Sequence, residues 1–371
     1  MTGAPRALFA THFFQDLAGS ELVLLELAEA LLARGWACDL LTYAMDDPML
    51  GLARAAGLQV HKLWDAPVRP FDYDLAWIQT RMEPLLDYAP NPGERLRTLF
   101  VFPHLDLRSS MAQYGLVHEP ALADACLVTS EEAAAHFTAS GMPAERIRLF
   151  RNPAPASFFR PAAAPSPTLR RLLIISNHLP EEVRAAAAML GAAGVETIHW
   201  GLGGQVQGCR LTGDAIGAAD AVLSIGKTVP YALAQRRPVY LYDHFGGPGW
   251  LDAANFEDAQ RANFSGRCCR RRLAPDDLAA EVTTGFAAAN RFAAALDDAA
   301  LAPFRLEPQI DALLALLPDA PTAEERRRRL AAEAGAAARE SALTRDAIWY
   351  FGELWWLKKH GIQARPGAGE A

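Results

Sequence analysis

Short apolar runs alternate with segments of helical period along this chain, and the alternation starts twice. Residues 7–10 read as a buried strand, THFFQDLAGSE as a loop, and LVLLELAEALLARG as a helix with Leu22, Leu25, Ala28 and Leu32 on one side. Ser20 is placed to cap that helix, Glu21 suits its positive end, and Gly35 follows as a stop. Strands are expected at 38–43, 59–63, 75–79, 98–102, 126–129 and 147–150, with helices near 48–56 and at 131–140. The run RNPAPASFFRPAAAPSPT, residues 151–168, is a linker by composition. Alternation then resumes with strands at 172–176, 197–200, 221–225 and 239–242 and a helix at 181–190. Such a pattern demands parallel sheets covered on both faces, hence an α/β fold of two Rossmann-like domains. We expect boundaries at 1–160, 161–320 and 321–371, with a hinge near 153–167. Ligands of such sheets sit beyond the carboxyl ends of the strands, so the cleft between the domains is the expected site.

The most chemically suggestive stretch is GKTVPYALAQRRPVYLYDHFGGPGW, residues 226–250. An apolar strand ends there in Gly226, Lys227, Thr228 and Val229, and a short helix opens. Unpaired N–H groups at a helix start, aided by its dipole, suit an anion. Lys227 would add a mobile cation and Thr228 a hydroxyl acting as N-cap or phosphate ligand. The segment reads as a diphosphate cradle; an ordinary βαβ turn with a surface lysine is the alternative. Ala221 stands where a Walker A loop needs glycine.

Composition narrows the classes. Hydrophobic residues make up 51%, charged residues 21%, and the net charge is −7, which argues against general nucleic-acid binding. The five cysteines are odd in number and form no CxxC pair, and the nine histidines form no HExxH. A reduced, cytoplasmic protein without a metal or other cofactor is the simplest expectation. No signal peptide is read at the N-terminus, and no apolar run reaches the roughly 20 residues of a membrane span. The tail is helical and charged, with EERRRRLAAEA read as a solvated face. Its end, AIWYFGELWWLKKHG, has two readings. It packs back on the body, burying its aromatics and leaving Lys358 and Lys359 in water, or it makes peripheral contact at the inner face of a membrane.

The order of several motifs resembles the GT-B glycosyltransferases, especially the retaining nucleotide-sugar enzymes of polysaccharide and glycolipid synthesis. DLAGSELVLLELAEALLARGWACDLLTY is similar to that family's opening Gly-Gly loop, long helix and "RGH-V" turn. LFRNPAPASFFRP resembles "IPNGVD…F.P" at the domain junction, TIHWGLGG a Gly-rich strand end, and AADAVLS…ALAQRRPVYLYD the passage "ADV-V-PS…EAMA-G-PVV". GLGG does not complete a GxGxxG dinucleotide fingerprint. The matches run in the family's order over residues 7–290. The resemblance implies a two-domain GT-B fold with a C-terminal helical extension that crosses back to the first domain. It also implies a nucleotide-sugar donor and a glycan or lipid-linked acceptor.

Residue by residue, the resemblance puts Gly19 and Ser20 in the loop near the donor diphosphate, and Asn177 and His178 in the loop near the donor phosphates. His104 in LFVFPHLDL matches the active-site histidine near the transferred sugar; a loop histidine satisfied locally is the alternative. The chain also departs from the pattern. Tyr231 stands where the ribose glutamate belongs and could still hydrogen-bond a donor ribose, no acid lies at 223–227, and NHLPEE replaces the usual basic residue after the first strand of the second domain. Acid function would then come from Asp243 in the glycine-rich loop DHFGGPGW, unless that loop is only a turn. A non-catalytic GT-B protein that binds a nucleotide or glycan and supports a partner enzyme is the second reading. A sugar-nucleotide epimerase of the same fold, the third, lacks a clearly placed carboxylate set and arginine array.

Overall fold

In the computed structural model, which describes residues 4–107, 113–160 and 166–359, RALFATHFF forms β1 (Arg6–Phe14), buried along almost its whole length. It lies inside the first sheet, with a strand on either side. Along the chain follow α1 (Gly19–Leu32), β2 (Ala37–Met45), α2 (Met49–Ala56), β3 (Gln59–Lys62), β4 (Leu75–Ile78), β5 (Leu99–His104), α3 (His118–Leu122), β6 (Ala125–Val128), α4 (Glu131–Ala139) and β7 (Ile147–Leu149). The strands pair in parallel in the order β3-β2-β1-β4-β5-β6-β7. Strand order reverses beside β1, and a crevice opens there at the carboxyl ends. One face carries Phe9, Leu40 and Trp77 under Leu24 and Leu25 of α1; the other carries Phe100 and Phe102, packed with Phe71 and Met82.

The second unit contains β8 (Arg171–Ile175), α5 (Glu181–Ala192), β9 (Glu196–Trp200), α6 (Gly213–Gly217), β10 (Ala221–Ser224), α7 (Thr228–Ala234), β11 (Val239–Asp243), β12 (Gly246–Trp250), α8 (Phe256–Arg261), α9 (Pro275–Ala295) and α10 (Asp298–Leu301). Its sheet runs β12-β11-β10-β8-β9. All pairs are parallel except β11 with β12. The fold is therefore α/β with two sheet domains, as the alternation required. DHFGGPGW does not line the cleft as expected, because GGPGW is the antiparallel edge strand β12. Its glycines serve packing: a Cβ on Gly246 would lie 2.0 Å from the Arg271 carbonyl oxygen, and one on Gly247 2.0 Å from that of Leu241.

The junction also differs from a free hinge. The amide of Ala154 donates to the Phe304 carbonyl and its own carbonyl accepts from Leu306, while Phe158 is buried against Tyr231 with ring centroids 4.1 Å apart. Residues 161–165 of the expected hinge lie outside the described residues. Next, α11 (Leu306–Leu314) returns to the first domain and packs Leu306, Ile310 and Leu313 into the core under α1.

The tail forms α12 (Ala323–Ala332) and α13 (Ala334–Lys359). Thr322 and Glu325 make a capping box that starts α12. The arginine run is not wholly a solvated face. Arg326 is fully buried, donates to both oxygens of Asp124 at 2.7 and 2.6 Å, and also meets the carbonyls of Leu122 and Thr98. Arg327 pairs with Glu94 at 2.8 Å, whereas Arg328 is exposed. Along α13, Glu340, Thr344 and Ile348 are buried against the first domain. The aromatic end is exposed, contrary to the docking expectation: Trp349, Tyr350, Phe351, Leu354 and Trp356 all face water to a large extent. The surroundings of Trp355, Lys358 and Lys359 lie outside the described residues. No helix among the described residues is long and apolar enough to cross a membrane.

Removing one partner of a buried ion pair strands the other. Arg326→Ala should therefore cost about 3–5 kcal/mol, read as a clear fall in melting temperature. Arg328→Ala, on the solvent side of the same helix, should stay within about 0.5 kcal/mol of the parent.

Candidate active site

The first half of the site lies where the two sheets' carboxyl ends meet. After β1 the chain turns into α1, and a Cβ on exposed Gly19 would stand 4.0 Å from the Lys227 Cβ of the second domain. Gly19 and the 226–228 turn thus face one another across the crevice. Lys227 is not a mobile cation. It is buried, its Nζ lies 2.7 Å from Glu26 Oε2 of α1, and it donates to the Pro153 carbonyl at 3.0 Å. Burial pulls its pKa below the usual lysine range, partly opposed by Glu26. Tyr231 points the same way: its hydroxyl donates to Glu26 Oε1, and burial and the Glu26 charge push its pKa well up. Arg210 holds Glu29 through two bonds of 2.6 and 2.8 Å and lies 3.7 Å from Glu26. Burial lowers the Arg210 pKa, but its bonds to Glu29 outweigh this and leave it raised.

The neighbouring residues make other bonds than those the sequence implied. Helix α1 begins at Gly19 after Ala18, so Ser20 is not its cap; the Ser20 hydroxyl donates to Glu21 at 2.6 Å. Burial lifts the Glu21 carboxyl to about 7, so it is no simple anion at the helix start. Helix α7 is preceded by Lys227, and Thr228 makes no cap bond. Gly226 adopts φ +55° and donates to the Phe264 carbonyl; Val229 donates back to the Gly226 carbonyl and is itself in the core. Asn177 and His178 are exposed after β8. The Asn177 Oδ1 accepts from Leu202 and its amide reaches the Leu17 carbonyl at 3.4 Å, and the His178 amide donates to Ser176. Asp243 does not line the cleft as an acid. It is buried and accepts from the Phe245 amide, the Ser265 hydroxyl and the Gly266 amide at 2.7, 2.9 and 3.1 Å, which makes it the clamp of the β11–β12 turn.

The second half of the site is built around His104 at the carboxyl end of β5. Its Nε2 lies 2.7 Å from Glu119 Oε1, and its ring packs on Phe137. The other Glu119 oxygen accepts from Gly115, and the Cys126 thiol donates to Oε1 at 3.5 Å. His104, Glu119 and Cys126 are the group among the described residues spaced to hold a metal. Burial and then Glu119 push the Cys126 thiol far up, so it stays a protonated donor, and the trio is closed by its own hydrogen bonds.

A cavity of about 10 Å³, room for one water, is lined by His104, Glu119, Glu83, Thr80, Arg81 and their neighbours. Thr80 and Arg81 leave β4 at φ +58° and +56°, a strained pair that turns Arg81 inward. Glu83 and Glu340 are pushed in opposite directions within one neighbourhood. Burial, with Glu119 and Glu340 nearby, pushes Glu83 up to about 8. Burial also pushes Glu340 up. Yet His118 at 2.8 Å, the amides of Leu116, Val117 and His118, and the His118 charge outweigh it and hold Glu340 at about 2.

Sequence reasoning missed Glu26, Arg210, Glu119, Glu83 and Glu340. Glu26 carried a signal, since it lies four residues after Leu22, on the buried stripe of α1 where a carboxylate needs partners. The others meet across long sequence separations and gave none.

In comparisons with known proteins, no family model and no curated protein matches this chain. Solved structures do. HepE from Anabaena in complex with UDP superposes with a TM-score of 0.50 at 14% identity, over 84% of this chain and 99% of its own. A glycosyltransferase from Rickettsia africae gives 0.49 at 11% identity, over 86% and 99%, and the lipopolysaccharide-biosynthesis glycosyltransferase WaaG gives 0.45 at 12%, over 83% and 99%. The chain has the GT-B fold.

Glu83 gives a pH signature. Its carboxyl ionises in the unfolded chain near the ordinary value but only around pH 8 when folded, so its contribution to stability is lost as pH rises between the two. Glu83→Gln removes that titration. From pH 5 to pH 8.5 the stability difference should move in the variant's favour by a few kcal/mol in denaturant titrations, at about 1.4 kcal/mol for each pH step of one. A difference independent of pH would mean that Glu83 is ionised in the fold.

Proposed function

We propose that this GT-B chain is a glycosyltransferase that moves a sugar from a nucleotide diphosphate donor to a glycan or lipid-linked acceptor. The observation that carries the reading is the meeting of Gly19 with the 226–228 turn at the carboxyl ends of both sheets, in a fold whose solved examples include one holding UDP. Small residues there let a diphosphate approach the backbone. In this reading Lys227 exchanges Glu26 for the leaving diphosphate when the domains move, which supplies charge where it develops. His104, oriented by Glu119, positions the sugar's reacting face. Gly19, Ser20, Asn177, His178 and Gly226 line the donor side. Retention of stereochemistry, a role in cell-envelope polysaccharide synthesis and work in the cytoplasm at the inner face of a membrane belong to the same reading.

A second reading, a non-catalytic GT-B protein that binds a nucleotide or glycan, is favoured by one arrangement. Lys227 and Tyr231 are both committed to Glu26, and Asp243 to its turn. Turnover assays across UDP-sugars, with calorimetry of UDP, separate the two: binding without turnover on any sugar selects the second.

Lys227→Ala should weaken UDP by about 1.5–3 kcal/mol, the worth of a charge-assisted bond. Equal affinity would leave the lysine with Glu26 and out of the donor site. His104→Ala should lower turnover while UDP affinity stays nearly constant; unchanged turnover would return His104 to the N-terminal domain's core.

A further inference from the structure

A groove of about 310 Å³ lies on the first domain, lined by Tyr43, Trp64, Arg345 and Trp349. Tyr43 lies near the carboxyl end of β2 and Trp64 just beyond that of β3, so both sit at the end of the sheet that also carries His104 and the Gly19 loop. Helix α13 supplies the other wall. It lies tightly against Tyr43: a Cβ on Gly352 would stand 2.4 Å from the tyrosine hydroxyl oxygen.

Two features go beyond packing. Trp64 adopts φ +83°, a conformation costly for a bulky residue, and yet is half exposed. The turn that the Asp65 amide closes on the Lys62 carbonyl holds that backbone, and it leaves the indole on the wall of the groove. Arg345 lies over the Trp64 ring at 5.6 Å, and among the described residues it makes no ion pair. At 5.6 Å from the ring centroid the guanidinium is within cation–π reach of the indole without being stacked on it, and its N–H groups are left for a ligand in the groove.

We propose that this groove binds an anionic saccharide. Aromatic faces take the apolar C–H face of a sugar ring, the volume suits one or two rings, and Arg345 donates to a carboxylate or phosphate on the sugar. The cation on its wall opposes a quaternary ammonium ligand, which three rings alone would suit. The inference rests on the glycosyltransferase reading for its meaning: the groove holds an acidic acceptor on the first domain while the donor sits across the crevice.

The test uses the full chain without donor. Tryptophan fluorescence and calorimetry follow a glucuronate-bearing hyaluronan tetrasaccharide, neutral chitotetraose, and vesicles of phosphatidylglycerol in phosphatidylcholine. The acidic tetrasaccharide should bind and change the fluorescence, with the neutral one about tenfold weaker. Trp64→Ala should cost about tenfold or more, the scale of a lost stacking platform. Arg345→Gln should erase the preference for the acidic sugar and leave the neutral one unchanged. Both side chains are exposed, so melting temperature and UDP affinity should hold and certify the fold. Absence of saccharide binding, or binding indifferent to both substitutions, overturns the proposal. Vesicle binding lost in Trp349→Ala without saccharide binding also overturns it and assigns the surface to a membrane. Saccharide binding in a chain that fails to bind UDP sinks the glycosyltransferase reading and leaves the groove standing.

Discussion

One carboxylate organises the meeting of the two domains. Glu26 sits on α1 with almost no exposure, a position that water cannot stabilise. It is tolerable only because the second domain brings Lys227 and Tyr231 to its two oxygens, with Arg210 close behind. The arrangement works in both directions, since Lys227 is also buried and Glu26 opposes the lowering of its pKa by burial. Around this centre several further polar contacts join the domains: Arg267 with Glu132, Asn152 with Asn263, and Arg210 with Glu29. A polar seam of this type can exchange partners with a charged ligand, which an oily one cannot, and relative domain motion is the ordinary expectation for it.

The carboxyl end of the first sheet obeys the same rule with different outcomes. Glu83 and Glu340 lie in one buried neighbourhood. Glu340 gathers three amides and the His118 ring and keeps its charge, while Glu83, with fewer donors, is driven toward its neutral form. Deeper burial lifts Glu83, and the bonds from the His118 ring and the 116–118 amides hold Glu340 down. Because Glu340 arrives on α13, the last helix completes the electrostatics of a site whose other members come from the segment after β4 and from β5, α3 and β6. The tail is therefore part of the first domain's structure up to Ile348. Beyond that residue its aromatic side chains are displayed rather than buried.

Much of the architecture was legible in the residues. Strand–helix alternation located the sheets, because fully buried parallel strands must be continuously apolar and their crossovers must be helical. Gly35 and Gly57 end α1 and α2 in the left-handed conformation that such stops require. Strand β12 escaped because its glycines give no apolar alternation; they are there for backbone approach. The arginine run misled for a related reason. One turn of α12 presents Arg326 inward and Arg328 outward, and composition cannot say which face meets Asp124.

The sequence by itself determined the α/β class, the two starts of the alternation and the strand ends on which Gly19, His104, Asn177 and Lys227 would sit. Those features follow from local periodicity and turn chemistry, which each segment carries alone. Only the tertiary structure decided what those side chains touch. Lys227 became the partner of Glu26 across 201 positions of chain, His104 of Glu119, and Asp243 of Ser265 and Gly266. The physical reason is that a buried charge takes whatever opposite charge or donor the packing brings within reach. Packing is a property of the whole chain rather than of any stretch of it.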